Sequence, residues 1–286
     1  MSVASFVTAG SVDDVLAALA GGARPVAGGT DLVVGARSGK STLPENLVAI
    51  HRVAELNGVS VSAEGLRLGA LASHEAICEN EEIKSRYTAL ADACAIVGSH
   101  ATRAQGTVGG NLMNASPAME TGGPLICLGA TVTLRSAGGE RTIDVADLFT
   151  GPGGTVAEPG ELLISVDVCA PATGSGSAYL RLEYRRQMEI AVVGASALVT
   201  LGDGGTVMAA RVAMTALAPT VRRVPEAEAA LVGSDGGPAA IEAASAAVAA
   251  ASSPISDVRG SADYRRAMAA VIAGRAIERA VARARA

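Results

Sequence analysis

Two short stretches set glycine beside hydrogen-bonding side chains. One runs Val26-Ala27-Gly28-Gly29-Thr30-Asp31-Leu32, and the other runs Gly106-Thr107-Val108-Gly109-Gly110-Asn111. Glycine admits φ > 0 and lets a backbone come close to a ligand. Successive N–H groups in such a turn form a concavity that holds phosphate oxygens. Either turn alone reads first as a tight loop. Together they point to one ligand with two adjacent phosphates, held from both sides. The run 112–130 after the second turn carries no charge except Glu120.

Other chemistries find little support. Cys78, Cys94, Cys127 and Cys169 form no Cys-x-x-Cys pair, so zinc and iron–sulfur spacings are missing and buried thiols are expected. His51, His74 and His100 have no neighbour at ligand spacing and read as surface or loop residues. Gly35-Ala-Arg-Ser-Gly39-Lys40-Ser41 looks like a P-loop but is one residue short between its glycines, and no long apolar helix follows. No Gly-x-Gly-x-x-Gly follows a strand and opens a helix, which disfavours a Rossmann domain.

The composition narrows the partners. A net charge of -5 argues against nucleic acid, which needs a basic face. Aromatics at 2%, with no Trp, leave no base-stacking platform. With 49% hydrophobic residues, 286 residues can build a sizeable core and more than one domain. No membrane span is expected, because the Ala-rich run 239–251 is too short to cross a bilayer. Residues 1–20 lack a basic start and a continuous apolar run, so a cytoplasmic location is expected.

The elements around the two turns follow from pattern. Ser11 to Asp14 reads as a capping box opening a helix with Val15, Leu16 and Leu19 on its apolar face, stopped by Gly21-Gly22. Residues 24–27 and 46–50 read as strands, which makes 1–55 a small α/β unit. Residues 59–61 and 66–68 alternate around Ser62 to Gly65, a hairpin signal. Residues 73–79 and 86–97 read as helices, and 124–128 as a short apolar one. Residues 131–135 and 141–145 form a second hairpin around Gly138-Gly139, and 161–168 is a strand with a buried face. This second unit, 56–172, ends at a Gly/Ser/Pro linker over 171–177. The third unit, 177–286, has strands at 195–201 and 207–217, then helices at 225–231, 238–251 and from 262 onward. Arg275, Arg279, Arg283 and Arg285 near the last turns complement the helix dipole.

The paired turns, with Asn114-Ala-Ser-Pro-Ala-Met-Glu120 after the second, resemble those of the FAD-binding medium subunits of molybdenum hydroxylases. This is the family of xanthine dehydrogenase and aerobic carbon monoxide dehydrogenase. Thr215-Ala-Leu-Ala-Pro-Thr220 and Ser256-Asp-Val-Arg-Gly-Ser-Ala-Asp-Tyr-Arg-Arg266 are similar to stretches of the family's C-terminal domain, so the resemblance spans nearly the whole chain. It implies an α+β fold: a two-subdomain FAD-binding fold of the vanillyl-alcohol oxidase/cresol methylhydroxylase type, plus a C-terminal domain of a three-stranded antiparallel sheet and helices.

By that resemblance, Val26 to Leu32 cradle the pyrophosphate with backbone N–H groups, helped by Thr30, while Thr107, Gly109, Gly110 and Asn111 close on it. Ser116 belongs to the same set, and Glu120 stands where an acid contacts the ribose, as Glu in place of the more usual Asp. Arg181-Leu-Glu-Tyr-Arg-Arg-Gln-Met-Glu-Ile-Ala191 resembles the segment over the flavin ring. There Arg181 reaches toward the cofactor, Glu189 supplies an acid and Ile190 covers the ring; Leu163 lies where an apolar residue approaches the flavin. For Leu163 and Ile190, plain core packing is an equal alternative. Arg185 and Arg186 are assigned to the surface, against a partner.

The implied activity is electron transfer. Substrate is hydroxylated at a molybdenum-pterin cofactor in a large subunit. Electrons pass through two [2Fe-2S] clusters of a small subunit and leave through FAD in this chain, to NAD, quinone or oxygen. The expected assembly is a dimer of heterotrimers. Two other readings stay open at the level of sequence: a stand-alone flavin oxidoreductase of the same superfamily, and a non-enzymatic nucleotide-binding scaffold.

Overall fold

The computed structural model describes residues 3–286. In the N-terminal part, β1 (Ser5–Thr8), α1 (Val12–Ala20), β2 (Arg24–Val26), α2 (Thr30–Arg37) and β3 (Asn46–Ala49) build a parallel sheet of order β1-β3-β2. The capping box forms as expected: the Ser11 hydroxyl accepts the Asp14 N–H, and the Asp14 carboxylate accepts the Ser11 N–H. Val12, Val15 and Leu16 pack with Val48, Ile50 and Leu56. This core also takes Leu71 and Leu162, so it is shared with the next sheet.

That sheet is antiparallel, of order β4-β5-β10-β6-β7, from β4 (Val59–Val61), β5 (Gly65–Gly69), β6 (Thr131–Ser136), β7 (Gly139–Asp144) and β10 (Leu162–Cys169). A two-stranded ribbon of β8 (Phe149–Gly151) and β9 (Gly154–Thr155) stands beside it. Between β5 and β6 run six short helices: α3 (His74–Glu79), α4 (Glu81–Arg86), α5 (Thr88–Ala95), α6 (His100–Gln105), α7 (Val108–Asn114) and α8 (Gly122–Leu128). Their apolar residues Ile77, Leu90, Leu112 and Leu125 join Leu66, Leu68, Val132 and Val166 of the sheet in one core.

The C-terminal sheet has order β11-β12-β13-β14: β11 (Ser175–Leu182), β12 (Val193–Leu201), β13 (Val207–Thr215) and the two-residue edge β14 (Arg222–Arg223). The three expected strands are there, and β14 adds a fourth. One face, with Ala178, Ala195, Val212 and Met214, packs on α9 (Pro225–Leu231), α10 (Pro238–Ala251) and α11 (Ala262–Ala284). The opposite face turns toward α5 and α8: Ser177 Oγ accepts the Ala89 N–H, and Cys127 Sγ donates to the Ser196 carbonyl.

Several expectations need correction. The helix expected over 86–97 is broken by Tyr87, whose backbone (φ -122, ψ 48) leaves the helical region, so α4 and α5 are separate. The segment expected to be a linker is strand from Ser175 onward, because Thr88 Oγ1 and Arg283 donate to the Ser177 carbonyl and hold it in place. Arg283 does more than face a helix dipole: it forms two bonds to Asp92 of α5, at 2.6 and 2.9 Å. His74 is buried rather than at the surface. Among the cysteines, Cys94 and Cys127 are buried as expected, Cys78 is half-buried and Cys169 is exposed.

Candidate functional site

The first glycine turn leads β2 into α2. Gly29 is the N-cap, in the left-handed region at φ 68, and no side chain caps the helix. The first bond of the helix runs from Val33 N–H to the Gly29 carbonyl at 2.9 Å. Among the described residues, no acceptor takes the N–H groups of Gly29, Thr30, Asp31 or Leu32. A helix start with free donors and a positive dipole end binds anions.

The second turn lies against the first. A Cβ on Gly28 would sit 1.7 Å from the Gln105 carbonyl oxygen and 3.2 Å from Gly106 N, so only glycine allows the approach. A Cβ on Gly106 would in turn lie 3.6 Å from Thr30 Oγ1. Two loops far apart in sequence therefore meet at one place.

The second turn differs from the first in what it offers. Thr107 caps α7 by accepting the Gly110 N–H at 3.1 Å. Val108 N–H bonds the Ala72 carbonyl, Gly109 N–H the Ala70 carbonyl and Asn111 N–H the Thr107 carbonyl. The backbone donors of 108–111 are thus used inside the chain, and this turn is no second N–H cradle. Gly109 is buried, and its Cβ would be 2.7 Å from the Ala70 oxygen; packing explains that glycine. Gly110 is exposed, and its Cβ would touch only Thr107 Oγ1 at 3.0 Å. Asn111 Oδ1 accepts from Thr121 Oγ1 at 2.6 Å, and the amide NH₂ has no partner among the described residues.

Ser116 closes the turn after α7: its Oγ accepts the Ala118 N–H, and its carbonyl accepts the Met119 N–H. Glu120 follows, 7% exposed, paired with Arg181 at 2.5 Å. Burial pushes the Glu120 carboxyl up to about 7 against the pull of Arg181, and the Asp31 charge adds to the rise. Asp31 keeps solvent contact, yet burial raises its carboxyl too, as a concave mouth would. Asp31 and Glu120 thus lie near enough for their charges to act on one another.

Residues 2–171 match the family model described as FAD binding domain in molybdopterin dehydrogenase, and residues 178–280 match the CO dehydrogenase flavoprotein C-terminal domain. The chain belongs to the FAD-binding medium subunits of molybdenum hydroxylases. The carbon monoxide dehydrogenase medium chain of Afipia carboxidovorans is 33% identical over 92% of this chain and 90% of its own length. The 6-hydroxypseudooxynicotine dehydrogenase complex subunit alpha of Paenarthrobacter nicotinovorans is 33% identical over 98% of this chain and 95% of its own. Among solved structures, reconstituted CO dehydrogenase from Oligotropha carboxidovorans superposes with a TM-score of 0.93 at 31% identity, covering 99% of this chain and 100% of that one. Quinoline 2-oxidoreductase from Pseudomonas putida 86 superposes with a TM-score of 0.91 at 29% identity, covering 98% and 97%.

The stretch of this subunit from Arg181 to Ile190 closes one side. The Arg181 side chain is 1% exposed and bonds Glu120, Glu183 and the Glu189 carbonyl. Glu189 accepts the Ile190 N–H and pairs with Arg185 at 3.2 Å. Met188, at φ 52, donates its N–H to the Gly98 carbonyl and so ties the stretch to the start of α6. Ile190 is 43% exposed and stays available to a ligand. Leu163 is buried in the core of the large sheet, opposite Leu134. Its neighbour Ile164 accepts the Ala70 N–H, so β10 backs the second turn through Ala70.

Two supporting residues escaped the sequence reading. Thr121 holds Asn111, and its only sequence signal is its place beside Glu120. His74 donates its N–H to the Gly106 carbonyl, and its ring lies under Gly106, with Nδ1 3.6 Å from Cys94 Sγ. Burial first, then Arg103, lowers its pKa to about 4, so the ring is neutral at pH 7. The Ser73 cap was its only signal.

Proposed function

We propose that this chain binds FAD where the two glycine turns meet. It carries electrons from two [2Fe-2S] clusters of a small partner subunit to a terminal acceptor. A large subunit with the molybdenum-pterin cofactor completes the complex. The observation that carries this reading is the contact of Gly28 with Gln105 and Gly106, beside four free N–H groups at the start of α2. The residues present fit the cofactor: the donors suit a pyrophosphate, and Gly110 is exposed, with only the Thr107 hydroxyl crowding the place of a Cβ.

Gly28 to Leu32, with Thr30, would hold the pyrophosphate, and Val26 and Ala27 set the entry to that turn. Gly110 and the Asn111 amide would approach from the other side, while Thr107 and Gly109 fix that turn from within. Glu120, oriented by Arg181, would take the ribose hydroxyls. Ile190 would cover the ring, Glu189 would hold the Arg181–Ile190 stretch, and Leu163 would back the site from the core. When bound, flavin supplies redox chemistry that the side chains lack, and the protein holds and tunes it.

The finer parts of the reading are a dimer of heterotrimers, a cytoplasmic home, and NAD, quinone or oxygen as acceptor. The proposed units are 1–55, 56–172 and 177–286. Relatives that are medium chains of dehydrogenases support the separate-subunit arrangement. Among the described residues, no helix is long and apolar enough to cross a membrane. The test is a visible spectrum of the purified chain before and after dithionite, followed by co-expression with the two partner subunits. Flavin absorbance that bleaches, and co-purification as one complex, are expected. A colourless chain that takes up no FAD overturns the reading.

A further inference from the structure

Arg181 serves two carboxylates at once. Its Nη1 donates to Glu120 Oε1 and its Nε to Glu183 Oε2, each at 2.5 Å. The Arg181 side chain is 1% exposed, that of Glu120 9% and that of Glu183 23%, so solvent screens the triad poorly. With both carboxylates ionised, one guanidinium faces two negative charges and the triad is left net negative. The acid nearby on the following stretch does not add to this excess, because Arg185 pairs with Glu189 at 3.2 Å. Asp31 does add to it. It stands in the first turn of α2, takes no ion-pair partner among the described residues, and its charge acts on Glu120.

Like charges held together away from water share a proton rather than all ionise. Glu120 is the deeper of the two acids on Arg181, so desolvation favours the proton there. Burial already lifts its carboxyl to about 7 against the pull of Arg181. A neutral Glu120 keeps a carbonyl oxygen to accept from Arg181 and gains an O–H donor. The proposed cofactor brings more negative charge to the same place, since Asp31 sits among the free N–H groups of 29–32 that suit a pyrophosphate.

We propose that FAD binds to this chain together with a proton, and that Glu120 carries the proton. The ligand named here rests on the function proposed above; the proton affinity of the triad does not. The linkage has a definite sign. Bound pyrophosphate raises the proton affinity of Glu120, so FAD affinity is full below the midpoint of the empty chain and falls as pH rises past it. Glu120 faces Arg181 and Tyr179 of β11, Glu183 just after it, Asp31 of α2 and Cys94 of α5.

Calorimetric titration of FAD into the flavin-free chain at pH 7.5, in phosphate and in Tris, reads the proton, because the two buffers ionise with different heats. Uptake of about half a proton is expected, with a dissociation constant about tenfold higher at pH 9 than at pH 6. Glu120→Gln should remove the uptake and flatten the pH dependence. Binding without uptake in the wild type, or the same uptake in Glu120→Gln, overturns the proposal. The triad is read without flavin by ¹³C NMR of the Glu120 carboxyl, assigned with Glu120→Gln. A midpoint near neutral is expected, and Glu183→Gln, which keeps an acceptor for Arg181 but removes a charge, should lower it by about half a pH unit or more. A midpoint in the ordinary carboxylate range, or one that Glu183→Gln leaves unmoved, overturns the shared proton. FAD binding with no proton uptake fails this inference alone, whereas no FAD binding at all fails the functional reading and this inference with it.

Discussion

Gly28, Gly109 and Gly110 look alike in sequence, but the structure separates their reasons. Gly28 is glycine because the Gln105 carbonyl would be 1.7 Å from its Cβ, and Gly109 because Ala70 would be 2.7 Å away. Gly110 has only Thr107 Oγ1 at 3.0 Å, a tight contact with one side chain rather than with backbone, so packing demands glycine there far less than at Gly28. Gly28→Ala should therefore destabilise the fold by about 3 kcal/mol, as overpacking against a backbone does. Gly110→Val should spare the fold yet lower flavin retention about tenfold or more, because the branch projects toward the ligand. The ratio of flavin to protein absorbance, with thermal melts by circular dichroism, distinguishes the two; full occupancy in Gly110→Val would remove that residue from the site. His74 makes a separate prediction. Its pKa falls from 6.5 to about 4 on folding, so the unfolded chain binds the proton first as pH drops. The stability it contributes is full above pH 6.5 and declines as pH falls toward 4, by about 3 kcal/mol in all. Urea unfolding at pH 7 and 4.5 should show that loss, and His74→Gln should flatten the difference. Beyond the Ser73 cap the sequence offered no hint of this burial, because the neighbours that enclose the ring, Gly106 and Cys94, are distant in the chain.

At the scale of elements, legibility followed burial. The α1 box and the hairpins β4–β5 and β6–β7 were readable, since their caps and alternation are local. The helix α2 was not, because none of its residues is buried and no apolar stripe is written into it. The strand β1 is exposed throughout and escaped for the same reason. The helix α7 was hidden by Gly109 and Gly110, poor helix formers whose presence is explained by Ala70 and by the cleft. The linker reading failed where tertiary bonds override composition: residues 175–177 pair with β12 as strand, and α5 and α11 hold Ser177 in place. That joint is testable. Asp92 accepts from Arg283 twice and from the Tyr179 N–H, with the ion pair largely shielded from solvent. Asp92→Ala should cost about 2 kcal/mol, since it leaves a guanidinium and a strand N–H unpaired. Hydrogen exchange should rise along β11 while the capped helix α1 stays protected; equal exchange in wild type and variant would mean that the pair contributes nothing.

The candidate site belongs to no single sheet. The free N–H groups come from α2 beside the parallel sheet, Gly110 and Asn111 from α7 over the antiparallel sheet, and Arg181, Glu189 and Ile190 from β11 and the stretch after it. A ligand held by all of these binds only the assembled chain, so its binding energy is added to the stability of the whole. At a hundredfold excess over its dissociation constant, FAD should raise the unfolding free energy by about 2.7 kcal/mol. The melting temperature should rise with FAD concentration in one transition rather than two, because residues of both the first core and the large core line the interface. Hydrogen exchange locates the effect. Protection should appear together at 28–32, 107–111 and 183–190, whereas the groove between α10 and α11 around Val271 and Gly274 should not change. Protection confined to the two glycine turns, with 183–190 unaltered, would detach Glu189 and Ile190 from the cofactor and leave them to a partner surface. ADP in place of FAD sharpens the comparison: it shares the adenine, ribose and pyrophosphate but has no flavin ring. It should protect the turns and leave Ile190 as it was.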